Sequence, residues 1–383
     1  GRTAVQPCQQ ALAGRQGEGP GRREQQGHRC PHRLEVRHHR KDVLIADLDT
    51  GIDANHPDFK GRIAESKVFA GTSLKDGYGH GTHTASTIAG TGAASNGKYA
   101  GVAPGARLLV GKVCDDDGAC PDSAIIAGME WAAARHAVAV NMSLGDTVTD
   151  GTDPVSTALN RITAQTGTLF VVAAGNEAGP KSNGVDGTVG SPGSADAALT
   201  VGSTTKRDTL SYFSSQGPRL GDAAVKPDLV APGSDIIGAR ADGTNMDTRV
   251  PNPRYEQASG TSMATPHVTG AVALLAQAHP PGRPPTSKRV LTSSAHGLKN
   301  LTAFQQGSGR LDIVRALKQK VYAPPAPPAW ACSPGRTPAP PPPVRSPTAM
   351  TATSRSPWNS PSTPTARAAS GHPPACSPWT PTA

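Results

Sequence analysis

Between residues 43 and 322, short apolar runs alternate with segments of helical period, and that alternation leaves few architectures open to the chain. "VLIADLD" (43–49), "ARLLVGKV" (106–113), "AVAVNMSL" (137–144), "TLFVVAAG" (168–175) and "AALTVGS" (197–203) are continuously apolar rather than alternating. Strands of that kind suit a parallel sheet covered on both faces. "HGTHTASTIAG" (80–90), "DSAIIAGMEWAAARH" (122–136), "DPVSTALNRITAQTG" (153–167) and "SMATPHVTGAVALLAQAHP" (262–280) read as helices. Asp122 is the expected N-cap of the second, and Asp153 of the third, with Pro154 at the first helical position. The expected fold class is α/β, a doubly wound, mostly parallel sheet with helices on both faces. Sites in such sheets gather where strands end and loops leave for helices. Asp49, Leu144 and the pair Gly175–Asn176 all fall at such ends.

Composition changes abruptly outside this region. Residues 1–42 carry nine Lys or Arg against four acids, and residues 323–383 carry four Arg, no acid and 18 of the 37 prolines. Removing those 13 bases and 4 acids from the chain's 38 and 29 leaves 25 of each in the centre, so the net charge of +9 belongs to the tails. A nucleic-acid footprint requires a basic face on a folded element, and interleaved Gly, Gln and Pro do not build one. Nucleic acid is therefore excluded as the expected partner. No apolar run reaches the roughly 18 residues of a membrane span. Both tails are read as disordered or aberrant, since Pro-rich sequence cannot fill sheet or helix interiors. Cys114 and Cys120 either close a short disulfide loop, if the protein is exported, or remain a small buried hydrophobe and a free thiol.

Four short blocks in the central region carry the residue types that acyl transfer at a serine requires. They are "LDTGID", "GHGTHTA", "AAGNE" and "SGTSMATPH", in the order Asp, His, Asn, Ser. Together they resemble the subtilisin-like serine peptidases, closely over 43–280 and more loosely to about 322, and the order Asp, His, Ser is the known order of that family. The absence of G-x-S-x-G at Ser262 argues against an α/β-hydrolase esterase. The resemblance implies that Asp49 orients His80, that His80 is general base and then acid, and that Ser262 attacks the scissile carbonyl. It implies that Asn176 and the backbone N–H of Ser262 hold the oxyanion. It further implies a peptide or protein substrate held as an added strand, with Ser143, Leu144 and Gly145 on one side of the first pocket. Ala173, Ala174 and Gly175 lie on the other side and Gly190 at the base, where a glycine leaves room for a bulky apolar side chain. Secretion, an N-terminal prosegment not recognisable in this chain, and chemistry without a cofactor are implied in the same way. Of the two histidines in "HGTH", the resemblance makes His80 the base and His83 packing, and no third ligand is spaced for a metal. His267 is read as structural. Asp58 matches a position that ligates calcium in some members, but "GTGAASNGKYAGVAPGA" does not carry the companion ligands. The acids of "CDDDGACPDS" beside the cleft read as a solvated turn, with a preference for basic substrate residues as the alternative.

Two departures from the family pattern stand out. Position 47, normally apolar, is Asp47, and strand alternation puts it on the same face as Asp49. Burial and like charge raise carboxyl pKa values, so one of the two favours the neutral form, and Asp47 is the expected one because Asp49 keeps His80 as its partner. The second departure is the loss, recovery and renewed loss of pattern through "PPGRPPTSKRV" (280–290) and beyond 323. With the unrecognisable start, it reads as reading-frame shifts in a fragment of a GC-rich gene; a Pro/Thr-rich linker is the alternative.

Overall fold

The computed structural model describes residues 43–145, 147–178, 187–278 and 287–319. It also pairs Ala4–Val5 antiparallel with Leu34–Glu35. The expectations for the tails and for the prolines at 280–285 lie outside the described residues.

Seven strands form one parallel sheet: β1 (Leu44–Asp49), β2 (Ile63–Val68), β3 (Arg107–Lys112), β4 (Ala139–Met142), β5 (Leu169–Ala173), β6 (Leu199–Thr204) and β7 (Leu229–Pro232). Their spatial order is β2-β3-β1-β4-β5-β6-β7. The order reverses at β1, which lies between β3 and β4, so β1 sits at the switch point where doubly wound sheets open a crevice. A second, antiparallel sheet joins β8 (Ile236–Ala239), β9 (Thr248–Arg249) and β10 (Tyr255–Ala258) in the order β8-β10-β9.

Helices α1 (His80–Ala89) and α4 (Thr261–Ala278) cover one face of the parallel sheet, and α2 (Asp122–Ala134) and α3 (Pro154–Thr166) cover the other. Strand parity divides the core accordingly. Ile45, Val110 and Val171 pack with Ile88, Val268 and Val272, whereas Leu48, Leu109, Phe170 and Val172 pack with Met129, Trp131 and Leu159. Both faces being covered is why the strands read as unbroken apolar runs. Burying each such side chain stabilises the fold by about 1.5–3 kcal/mol. Helix α4 is buried nearly all round, which accounts for its small, apolar composition. Three short helices, α5 (Ser287–Ser294), α6 (Ala303–Gln306) and α7 (Ile313–Lys318), complete the described chain.

The two capping expectations part company. Asp153 caps α3, its carboxylate accepting the Ser156 N–H at 2.9 Å with Pro154 following. Asp122 is instead the first residue of α2, and Pro121 occupies the cap in extended conformation without a side-chain bond. An acid in the first turn still favours the helix through its dipole. Cys114 and Cys120 are joined by a disulfide, with Cα atoms 4.1 Å apart.

Candidate active site

The carboxyl end of β1 and the amino end of α1 are forced together by two glycines. Gly51 turns the chain at φ +109°, where an added Cβ would lie 2.4 Å from the Leu74 carbonyl oxygen. Gly81, in the first turn of α1, lies so close to the strand end that a Cβ would sit 2.3 Å from the Gly51 carbonyl oxygen. This packing sets the Asp49 carboxylate against His80: Nδ1 is 2.8 and 2.9 Å from the two oxygens. The Thr50 N–H donates to Asp49 Oδ1 at 2.7 Å and holds the carboxylate in place. With its Nδ1 proton directed at the carboxylate, the neutral imidazole keeps Nε2 free to accept one. Burial pulls the His80 pKa down, but the charge and hydrogen bond of Asp49, with smaller help from Asp76, outweigh it and raise the value above the ordinary 6.5.

His83, one turn further, is fully buried with Nε2 3.1 Å from the Ile236 carbonyl oxygen, and burial lowers its pKa to about 4. It is a neutral packing residue. His267 Nδ1 sits 2.8 Å from the Met263 carbonyl oxygen and is likewise lowered by burial.

Ser262 is the second residue of α4. Four residues on, Pro266 lacks the N–H that would bond the Ser262 carbonyl within the helix. Ser143 on the loop after β4 takes that role, its hydroxyl donating to Ser262 O at 2.8 Å. Ser262 Oγ donates in turn to Ser143 O at 3.0 Å. Asn176 is oriented by its oxygen, which accepts the Thr261 N–H at 2.9 Å and the Thr261 hydroxyl at 3.1 Å. Its Nδ2 is thereby aimed elsewhere. Nδ2 and the Ser262 backbone N lie 3.8 and 3.6 Å from the point a Cβ would take on Gly260, so the two donors border one small space.

Asp47 faces α1 beside Asp49, 1 % exposed. Asn141 Nδ2 donates to its Oδ1 at 2.9 Å and to Ser143 Oγ at 3.0 Å, while Asn141 Oδ1 accepts the Thr269 hydroxyl at 3.0 Å. Thr84 Oγ1 lies 3.0 Å from Asp47 Oδ2 and 3.1 Å from the Gly81 carbonyl oxygen. Burial first, and then the charge of Asp49, raise the Asp47 pKa well above the ordinary value, and the bonds from Asn141 and Thr84 offset only part of this.

Sequence reasoning missed Asp76. It is 1 % exposed and accepts five hydrogen bonds: from the Thr50 hydroxyl (2.8 Å), the N–H groups of Tyr78 (3.2 Å), Gly79 (2.7 Å) and Thr82 (2.8 Å), and the Thr82 hydroxyl (2.6 Å). The available signal was an acid four residues before "HGTH", where a carboxylate can cap a helix from outside.

A cleft of about 610 Å³ opens beside these groups. Asp49 and His80 line it with Tyr78, the disulfide loop (Cys114, Gly118, Ala119, Cys120), Ser143, Leu144, Gly145, Thr149, Asp153, Ser191 and Pro192. Ala173 and Ala174 are buried at the end of β5, and Gly190 lies next to the lining residue Ser191, its N–H bonding the Ala174 carbonyl oxygen at 3.4 Å. Gly175 bonds through its N–H to Thr261 Oγ1 at 3.3 Å.

Asp58, at the position that matches a calcium ligand in some family members, is bonded by protein groups. Tyr255 OH reaches both carboxylate oxygens at 3.0 and 2.9 Å, and the Ala94 N–H takes Oδ1 at 3.0 Å, in a site with no solvent exposure. Among the described residues no group of three or more His, Cys, Asp or Glu is placed to hold a metal. Asp53 is a loop residue, accepting from Asn55 N at 3.0 Å and Asp242 N at 3.2 Å.

A seven-stranded parallel sheet covered by helices, with a carboxylate–imidazole pair at its switch point, defines a subtilisin-like α/β protein. The chain belongs to the subtilase family, whose pattern matches residues 40–309. It is 39% identical over 246 residues to Subtilisin-like protease 1 of Trichophyton equinum, a match covering 61% of this chain and 41% of that protein. It is 35% identical over 278 residues to Subtilisin E of Bacillus subtilis (strain 168), covering 72% of this chain and 65% of the relative. The chain thus spans less than two thirds of these relatives. Among solved structures, a cold adapted subtilisin-like serine proteinase superposes with a TM-score of 0.53 at 33% identity, over 70% of this chain and 86% of that one. The Prenylagaramide maturation protease PagA gives 0.58 at 28% identity, over 72% and 92%.

Proposed function

We propose that this chain is a serine endopeptidase whose catalytic domain occupies residues 43–322. The observation that carries the reading is the Asp49 carboxylate held on His80 Nδ1 at 2.8 and 2.9 Å, at the wall of a cleft also lined by Ser143, whose hydroxyl bonds the Ser262 carbonyl. Ser262 Oγ attacks the scissile carbonyl carbon while His80 Nε2 takes its proton. Asp49 stabilises the imidazolium, and Asn176 Nδ2 with the Ser262 N–H binds the oxyanion. His80 returns the proton to the leaving amine, and water repeats the sequence to release the acid and restore Ser262.

The substrate is a peptide or protein, extended against the chain at Ser143–Gly145 and at Ala173–Gly175. Gly190 beneath the first pocket supports a preference for Phe, Tyr, Leu or Met before the cleaved bond. Secretion, a prosegment removed before activity, and chemistry without a cofactor complete this reading. Neither nucleic acid nor membrane is a partner, and no described helix is long and apolar enough to cross a bilayer.

A second reading, an impaired peptide-binding relative, is favoured by Asp47 beside the triad and by the Ser262 hydroxyl bonded to Ser143 O. A fluorophosphonate probe decides between them. Labelling of the parent and none of Ser262→Ala is the expected result; an unlabelled, folded parent refutes the peptidase.

A further inference from the structure

Two carboxylates besides Asp49 flank His80, and they differ in how many donors hold them. All five groups at Asp76 are donors. Both hydroxyls also accept, Thr50 Oγ1 from the Gly81 N–H at 2.9 Å and Thr82 Oγ1 from the Asp53 N–H at 2.9 Å, so each links Asp76 to a further stretch of backbone. At Asp47 the supply of donors is thinner: Asn141 Nδ2 donates to one oxygen at 2.9 Å, and Thr84 Oγ1, 3.0 Å from the other, divides its single proton between Asp47 and the Gly81 carbonyl oxygen.

We propose that Asp76 is a positioning residue for this active site: an acceptor-only carboxylate that locks the strand end bearing Asp49 to the helix turn bearing His80, and whose charge, unlike Asp47, supports the protonated imidazole. The geometry places it for both tasks. Through Thr50 it grips the residue after Asp49, and through Gly79 and Thr82 it grips the residues on either side of His80. The ionisable groups facing His80 are Asp49 and Asp47 from β1, Asp76 from the loop before α1, and His83 within α1. Lys112 of β3 bonds the carbonyls of Thr50 and Lys75 and the Asp116 carboxylate, fixing the same loop from behind.

This inference rests on the peptidase reading for its catalytic meaning but is tested without turnover. The His80 titration midpoint is followed by NMR in the full chain and compared with the acid limb of kcat/KM on a chromogenic peptide. Asp76→Asn is expected to lower both midpoints by about 0.5–1 pH unit, as removal of a nearby charge should, and to reduce kcat about tenfold or more. Asp47→Asn should leave the midpoint within about 0.2 unit, since no charge is removed. Thr50→Val removes the strand half of the clamp and keeps the charge; kcat should fall with the midpoint unmoved. A folded Asp76→Asn with the parent's midpoint overturns the proposal, as does Asp47→Asn shifting it equally. If Asp76→Asn does not fold, Thr50→Val with undiminished kcat overturns it. An inactive parent refutes the peptidase reading alone, because the NMR midpoints still separate the two carboxylates.

Discussion

Replacing Asp47 by asparagine on a Ser262→Ala background, where self-digestion cannot intervene, should change how stability depends on pH. The Asp47 carboxyl is buried, and its pKa is raised well above 3.8 by desolvation first and by the Asp49 charge second. The folded chain therefore holds a proton that the unfolded chain releases. The stability tied to that proton is whole below 3.8 and is lost as pH climbs through the window up to the raised value. One proton corresponds to a slope of about 1.4 kcal/mol per pH unit. The substituted amide retains an acceptor for Asn141 and a donor for Thr84 but does not titrate. The variant should gain on the parent by about 1.4 kcal/mol for each unit above 3.8 and below the raised value, a Tm difference growing by about 3–5 °C per unit in a domain of this size. Urea unfolding followed by fluorescence of the buried Trp131, repeated at half-unit intervals, measures it. Parallel curves for the two proteins would refute the neutral Asp47.

Further outcomes follow from the same geometry. Asn176→Ala should lose about 10²–10³ in kcat with KM little changed, the magnitude known for this family's oxyanion asparagine. The acid limb of kcat/KM should be centred above 6.5, because His80 is raised, and Asp49→Asn should move it down while lowering the rate. Reducing the Cys114–Cys120 disulfide, whose cysteines are six residues apart, should cost about 2 kcal/mol of stability. It should also raise KM for extended peptides more than for small esters, because that loop walls the cleft. Asp153→Ala should destabilise by about 1–2 kcal/mol, read by calorimetry, since it removes the α3 cap and the acceptor for Ser191 and Thr149.

The parts of the fold legible in the sequence were those with strong local signals. The five runs expected as strands lie in the parallel sheet because both of its faces are covered and no polar alternation interrupts them. β2 escaped notice because it is a half-exposed edge strand whose Glu65 and Lys67 break the apolar run. The antiparallel sheet from Ile236 to Ala258 was invisible for a related reason: its strands are two to four residues long and draw their register from pairing rather than composition. At the site, the motifs around Asp49, His80 and Asn176 stand out because close approach or a positive φ dictates Gly51, Gly79, Gly81 and Gly175, whereas Gly260 before Ser262 meets only ordinary contacts. Asp76 was not, because its meaning lies in five donors gathered from three separate short segments. The Asp122 cap failed for a simple steric reason, Pro121 already holding the extended conformation a cap requires.

The proline inside α4 has a consequence for how error enters the active site. A serine held by its own helix would drift whenever that helix shifted or frayed. Here the Ser262 carbonyl is tied to Ser143, which closes the strand whose next residues, Leu144 and Gly145, wall the cleft. On the peptidase reading, the residue bearing the nucleophile and the wall of the substrate groove thus share a single reference point, the loop that leaves β4.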